Sequence, residues 1–155
     1  MQRKNIVKDR GLKMKDAARC RIGIVVADFN ADITDRLLKG ALQRLNQAGL
    51  FSRNITVVHV PGSFEIPFAC QSLAKTKRYD ALIALGAVIK GETDHYYYIA
   101  DGAACGIMDV MLKHHIPIGF GVLTVGTLTQ ALERSENRHN AGIFAAQAVL
   151  SALSI

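Results

Sequence analysis

The chain has 155 residues, half of them hydrophobic, which is typical of one soluble domain with a substantial core. Its net charge of +6 arises within residues 1–21, which hold eight basic and two acidic residues, whereas the remainder holds eleven of each. A basic leader on a neutral body argues against a nucleic-acid surface across the domain, and no apolar run is long enough to span a bilayer. We therefore expect a cytoplasmic protein that binds neither nucleic acid nor membrane.

The hydrophobic pattern predicts strands that alternate with helices. Short apolar runs bounded by turn residues predict strands at 21–27, 55–60, 81–85 and 118–123. Helical spacing predicts helices at about 33–48, 68–75, 96–114, 128–134 and 142–153. Asn30 or Asp32 is expected to cap the first helix and Gly49 to end it, whereas Ser63 is expected to cap the second helix. The pattern predicts an α/β sandwich around a four-stranded parallel sheet.

Two features outside this pattern concern the leader and the cysteines. Residues 1–20 are interpreted as a basic leader, partly disordered or pairing with a neighbouring subunit, ahead of a domain at 21–155. Cys20, Cys70 and Cys105 are odd in number, widely spaced and set in apolar sequence, which indicates reduced packing residues. None has a metal-ligand spacing, so no metal site is expected.

The carboxyl ends of parallel strands are where ligands bind in such folds, and the third predicted strand is followed by the most varied polar loop. This loop, taken as residues 87–95, contains Lys90, Glu92, Thr93, Asp94 and His95. His95 is a candidate acid or base because imidazole exchanges a proton near neutral pH. The alternative is that it only begins the following helix.

Other candidates follow the first two strands. Phe29 and Phe64 suit a planar ligand at these exits, but each is equally compatible with the core. Glu65 needs a hydrogen-bond donor, and a ligand amide would supply one. Arg134 lies at a predicted helix end, where an arginine is usually a solvated cation, although it can also clamp a phosphate.

At these same residues the sequence resembles the 6,7-dimethyl-8-ribityllumazine synthase family of riboflavin biosynthesis. The matching stretches are residues 28–30, 60–67, 79–98, 120–124 and 130–134. The resemblance implies a flavodoxin-like three-layer sandwich that condenses 5-amino-6-(D-ribitylamino)uracil with 3,4-dihydroxy-2-butanone 4-phosphate, without metal or cofactor. It also implies a homopentamer or a multiple of it, with active sites at subunit interfaces, and a functional link to riboflavin synthase.

The resemblance assigns a role to each site residue. His95 would be the proton carrier. The residues implied for pyrimidine binding are Phe29, Ser63, Phe64, Glu65, Ala87, Val88 and Ile89, together with Phe120 from a neighbouring subunit. The residues implied for phosphate binding are Gly91, Glu92, Thr93 and Arg134.

One stretch departs from the family pattern. After the arginine, family members commonly carry Gly-Thr-Lys-x-Gly-Asn-Lys-Gly, whereas this chain has the different stretch 135–142, with Ala141 at the second lysine. Arg138 or His139 is a candidate replacement for the missing charge. Two alternative functions therefore stay open: a flavin or lumazine carrier without turnover, and a shell-forming scaffold.

Overall fold

The computed structural model describes residues 14–155. The strands are β1 (Ile22–Ala27), β2 (Ile55–Val60), β3 (Ala81–Ile89) and β4 (Ile118–Val125). The helices are α1 (Met14–Ala17), α2 (Ala31–Gln47), α3 (Ile66–Lys75), α4 (His95–His114), α5 (Leu128–Glu133) and α6 (Ala141–Ala152). Short 3-10 turns occupy Ser52–Asn54, Ser63–Glu65 and Asn137–His139.

The four strands form one parallel sheet in the order β2-β1-β3-β4. Helices α2 and α6 pack on one face, and α3 and α4 pack on the other, so each face has its own hydrophobic cluster. The central strands β1 and β3 are buried almost throughout, which explains their uninterrupted apolar sequences. The predicted α/β sandwich with a four-stranded parallel sheet is confirmed.

The carboxyl end of β3 differs from the prediction. The strand was expected to end at residue 85, but it continues to Ile89 because residues 86–89 pair with Val122–Val125 of β4. The expectation that the loop begins at residue 87 is therefore wrong, and the loop is shorter. Strand β4 is extended in the same way, to Val125.

Two of the expected helix caps also differ. Asn30 is the N-cap residue of α2, but its side chain makes no capping hydrogen bond. Ser63 does not cap α3, because it begins the 3-10 turn that precedes that helix. Gly49 follows the end of α2 with φ 92, a left-handed conformation that favours glycine.

The predicted leader falls mainly on residues 1–13, which lie outside the described residues. The part of it that is described packs on the domain, since Ala17 is fully buried and the side chain of Asn54 donates to the Ala18 carbonyl (2.9 Å). No helix in the described range 14–155 is long and apolar enough to cross a membrane.

The three cysteines are all free thiols in different environments. Cys70 is buried in the cluster beneath α3, as expected of a packing residue. Cys20 is half-buried, and Cys105 is exposed on α4, so the packing interpretation is wrong for Cys105. Burial raises the pKa of the Cys70 thiol to about 12.

Candidate active site

A cavity of about 430 Å³ opens at the carboxyl edge of the sheet, where β1, β2 and β3 end. Ten of the predicted site residues line it: Phe29, Ser63, Phe64, Glu65, Ala87, Val88, Ile89, Gly91, Thr93 and His95. Four further lining residues were not assigned to the site from the sequence: Pro61, Gly62, Tyr96 and Ile99. The ten predicted residues come from separate parts of the chain and lie together at this edge of the sheet.

The two phenylalanines at the cavity belong to neither hydrophobic core. Phe29 is 71% exposed and Phe64 is 57% exposed, so the chain leaves two large apolar side chains in water at one opening. Aromatic rings of this kind stack well on planar ligands. Of the two interpretations open at the sequence level, the core interpretation is wrong for both residues.

Phe29 is held by bonds that continue the β1–β2 ladder beyond the strands. The backbone N–H of Asp28 donates to the Val60 carbonyl (2.8 Å), and that of Phe29 donates to the Pro61 carbonyl (3.0 Å). A side-chain contact of 2.7 Å between Asp28 Oδ1 and His59 Nδ1 adds a third link. The backbone that carries Phe29 is therefore fixed to the second strand exit.

The end of β3 presents an open backbone edge to the cavity. Strand β1 pairs with β3 only as far as Val26 opposite Leu85, so residues 86–89 pair with β4 alone. The Ala87 carbonyl accepts from the Asn30 side chain (2.8 Å), on the β1 side, whereas the Lys90 N–H donates to Val125 of β4 (2.9 Å). Because backbone groups alternate in direction along a strand, the N–H and carbonyl groups of Ala87 and Ile89 point to the cavity side.

The turn that carries Ser63, Phe64 and Glu65 lies against this same strand. A Cβ placed on Gly86 would lie 2.5 Å from Ser63 Oγ and 3.1 Å from Ile66 Cδ1, so the approach requires glycine. Ser63 is only 5% exposed, whereas Glu65 is exposed at the cavity. Among the described residues the Glu65 carboxylate makes no hydrogen bond or ion pair, which leaves it free to accept from a ligand.

Helix α4 lies close to the same turn. A Cβ on Gly102 would lie 2.8 Å from the Phe64 ring, and a Cβ on Gly106 would lie 2.7 Å from Pro67. The two glycines therefore let α4 pack directly on the turn and on α3. This packing positions the amino end of α4 at the cavity.

His95 is the first residue of α4, and its exposed side chain lines the cavity. Its backbone N–H donates to Thr93 Oγ1 over 3.4 Å. Within residues 14–155 the imidazole has no hydrogen-bond partner, so both ring nitrogens are available to a ligand. Tyr96 follows at the cavity wall, where a hydrogen bond with Tyr97 raises the pKa of the Tyr96 phenol.

Three predicted site residues lie outside this cavity: Glu92, Phe120 and Arg134. Phe120 pairs with Ala84, four residues before Val88, which places it about 13 Å along the sheet from the opening. Arg134 is the C-cap residue of α5, and its guanidinium donates to the Gln130 carbonyl (3.2 Å) and lies 3.7 Å from Glu133. Neither Phe120 nor Arg134 completes the cavity of its own chain.

A second cavity, of about 500 Å³, lies between α2 and the segment that joins α5 to α6. It contains the basic residues Arg36, Lys39 and Arg138, and Arg36 forms an ion pair with Glu136. Arg138 was a candidate for the charge missing at Ala141. The structure places it at this second cavity rather than at the carboxyl edge of the sheet.

Comparison with known proteins identifies the family. The family model for 6,7-dimethyl-8-ribityllumazine synthase matches residues 19–155. Proteins named 6,7-dimethyl-8-ribityllumazine synthase are similar over most of their length. The one from Desulfovibrio desulfuricans is 43% identical over 141 residues, with 90% of each chain covered. The one from Limosilactobacillus reuteri is 47% identical over 135 residues, covering 86% of this chain and 88% of the relative.

The protein of the same name from Levilactobacillus brevis is 48% identical over 136 residues, with 87% of each chain covered. The match of the family model begins at residue 19 and reaches the last residue of the chain, so it includes all the strands and the whole cavity edge. The chain therefore belongs to the 6,7-dimethyl-8-ribityllumazine synthase family.

Proposed function

We propose that the cavity at the carboxyl edge of the sheet is where this enzyme makes 6,7-dimethyl-8-ribityllumazine. The reaction condenses 5-amino-6-(D-ribitylamino)uracil with 3,4-dihydroxy-2-butanone 4-phosphate, in the penultimate step of riboflavin biosynthesis. The observation that carries this proposal is that one cavity combines exposed aromatic rings, an open strand edge and a histidine whose ring has no partner among residues 14–155. Such a cavity suits a planar polar substrate and a proton-transfer reaction.

The pyrimidine would bind with its ring on Phe29 and its polar edge along β3. The backbone groups of Ala87 and Ile89 face the cavity and match the donors and acceptors of a uracil ring. Glu65, whose carboxylate has no partner within the described part of the chain, would accept from an N–H or hydroxyl group of this substrate. Ser63 and Phe64 would form the wall beside the ring and ribityl chain, and Val88 would contribute its side chain.

The phosphate of the second substrate would bind at the amino end of α4. This end offers the positive end of the helix dipole, with Gly91 and Thr93 at the cavity wall. Glu92 would contribute through its backbone, because its carboxylate repels an anion. Arg134 would come from a neighbouring subunit, since it lies outside the cavity of its own chain.

The chemistry then needs positioned reactants and a proton carrier. The 5-amino group attacks the ketone, and loss of water gives an imine; phosphate leaves, and the ribitylamino nitrogen closes the ring with loss of a second water. Holding both substrates in one cavity supplies much of the acceleration. His95 would move the protons, and such assistance contributes about 10²- to 10⁴-fold.

We also propose that the active form is a homopentamer or a multiple of it. Phe120 and Arg134 stand away from the cavity of their own chain, and Phe120 is half-exposed on the edge strand. The layer formed by α3 and α4 exposes large apolar side chains, including Phe68 (77%) and Leu112 (70%), which suits an interface. A closed ring of identical contacts would bring these residues to a neighbouring cavity.

The assembly proposal has a direct test. We favour a pentamer or decamer over a sixty-subunit shell. The eight basic residues among residues 1–21, repeated around a ring, would repel one another within about 8 Å at physiological salt. Analytical ultracentrifugation at two salt concentrations would show a pentamer or decamer. A stable sixty-subunit particle at both would refute that preference, and a fully active monomer would refute the shared site.

The remaining expectations concern requirements and partners. We propose a cytoplasmic enzyme that acts on small molecules without metal or cofactor and passes its product to riboflavin synthase. Turnover by purified protein should be unchanged by a chelator. A loss of turnover on chelation, restored by a metal ion, would contradict the cofactor-free mechanism.

A further inference from the structure

The segment that joins α5 to α6 is held by the side chain of Asn140, which is only 5% exposed. Its amide nitrogen donates to the carbonyl oxygens of Arg36 (2.9 Å) and Ser135 (2.7 Å). Its amide oxygen accepts from the backbone N–H groups of Gly142 (2.8 Å) and Ile143 (3.3 Å). Both donors and both acceptor positions of the amide are therefore used within the chain.

The side-chain amide of Asn140 lies in a narrow space between α2 and α6. A Cβ on Gly40 would clash with the Asn140 side chain, and a Cβ on Gly142 would clash with the Leu37 carbonyl. The two glycines therefore let Asn140 lie between the helix backbones. A buried amide that uses all its hydrogen bonds is costly to displace.

The same hydrogen-bond network reaches Arg134. The backbone N–H of Ala141, next to Asn140, donates to the Arg134 carbonyl (2.8 Å). Ser135, which is 1% exposed, receives the Asn140 bond and donates its hydroxyl to the Leu132 carbonyl (3.0 Å). The end of the six-residue helix α5 is thus fixed by its contacts with the start of α6.

We propose that Asn140 is a positioning residue for the reaction, because it sets the place from which Arg134 presents its guanidinium to the phosphate of the four-carbon substrate. This inference rests on the phosphate role proposed for Arg134. A long side chain clamps an anion well only when its backbone is fixed, since otherwise binding must also order the helix end. The hydrogen bonds of Asn140 fix the backbone at the end of α5 before the substrate binds.

Two substitutions separate this role from helix capping. Asn140→Asp keeps an oxygen that accepts from the first N–H groups of α6, but places a second oxygen against the carbonyls of Arg36 and Ser135. Ala141→Pro removes only the N–H that bonds Arg134. Proline is tolerated at a first helical position, and Asn140 already has the extended backbone (φ −62, ψ 116) that precedes proline.

The experiment measures steady-state kinetics with each substrate varied in turn. Both variants should raise KM for 3,4-dihydroxy-2-butanone 4-phosphate about five- to tenfold, the loss expected from one or two hydrogen bonds. The KM for the pyrimidine and kcat at saturation should change less than about twofold. Leu45→Ala, a fully buried change elsewhere on α2, is the matched control: it should lower the melting temperature without altering KM for the phosphate substrate.

Arg134→Ala, measured alongside, distinguishes the two claims. If it raises KM for the phosphate substrate while both Asn140→Asp and Ala141→Pro leave it unchanged, Asn140 does not position Arg134, and the proposed function stands. If Arg134→Ala itself leaves this KM unchanged, the phosphate role of Arg134 is wrong and the inference fails with it. Equal increases for both substrates, reproduced by Leu45→Ala, would show that Asn140 serves stability alone.

Discussion

The side-chain amide of Asn30 donates a 2.8 Å hydrogen bond to the carbonyl oxygen of Ala87, which joins the exit of β1 to the open edge of β3. Asn30 also adopts left-handed backbone (φ 63), a conformation that asparagine tolerates better than most residues. One residue therefore turns the chain into α2 and fixes the strand edge along which the pyrimidine is proposed to bind.

Asn30→Gly separates these two roles, because glycine keeps the left-handed backbone and lacks the amide. We expect it to weaken binding of a product-like ligand by about 1 kcal/mol, the value of one hydrogen bond. Asn30→Ala should additionally lower the free energy of unfolding by about 1–2 kcal/mol through backbone strain. Ligand titration and urea unfolding measure the two effects, and unchanged ligand affinity in Asn30→Gly would show that this bond does not shape the binding edge.

Replacement by alanine should affect stability differently at two glycines near the site. Gly86→Ala places a methyl group against Ser63 and Ile66, so we expect the free energy of unfolding to fall by about 1–3 kcal/mol. The methyl group of Gly91→Ala, five residues later, would meet no atom of the described residues within 4 Å, so this change should leave stability nearly unchanged. Denaturant unfolding of both variants checks the comparison. Equal losses would contradict the close approach between β3 and the Ser63 turn.

His95→Gln should lower kcat by about 10²-fold or more, while binding of a product-like ligand changes much less, because a proton carrier acts during the reaction. The matched control is His115→Asn at the other end of α4, where asparagine accepts the left-handed backbone (φ 51). This control should keep its turnover. Full turnover in His95→Gln across neutral pH would remove His95 from the mechanism.

Burial of Cys70 should make the fold sensitive to alkaline pH. Its thiol has a pKa of about 12 in the folded chain, against 9.0 ordinarily, so the unfolded chain loses this proton first as pH rises. The contribution of this thiol to the free energy of unfolding is therefore fully present below about pH 9. It falls above that pH, by about 2 kcal/mol at about pH 10.5. Urea unfolding should show a steeper decline above about pH 9 in the wild type than in Cys70→Ala, whereas parallel pH curves would contradict the effect of Cys70.

The order of elements could be predicted because burial on both faces leaves a clear pattern, as in the wholly buried β1. The end of β3 could not be predicted, because a glycine at position 86 is typical of a loop. Only the structure shows that Gly86 lies against Ser63. Ile99 lies four residues after His95 on the same helix face, so helical spacing could have identified it as a cavity residue.

The roles of other residues depended on contacts far apart in the sequence. Phe120 lies within a strand, and no periodic pattern distinguishes an edge aromatic residue from a core one. The side-chain amide of Asn140 donates to the main-chain carbonyls of Arg36 and Ser135, which lie 104 and five positions away in the sequence. Local sequence carries no signal for such contacts.

The central claim is that the cavity between Phe29, Phe64 and the end of β3 turns over the two substrates rather than only holding a flavin or lumazine. The most direct measurement is the initial rate of 6,7-dimethyl-8-ribityllumazine formation by purified protein, compared with the spontaneous reaction of the same substrates. We expect a rate well above the spontaneous one for wild type, and a large loss in His95→Gln with product binding retained. Tight product binding by wild type with no rate above the spontaneous reaction would contradict the account and identify a carrier.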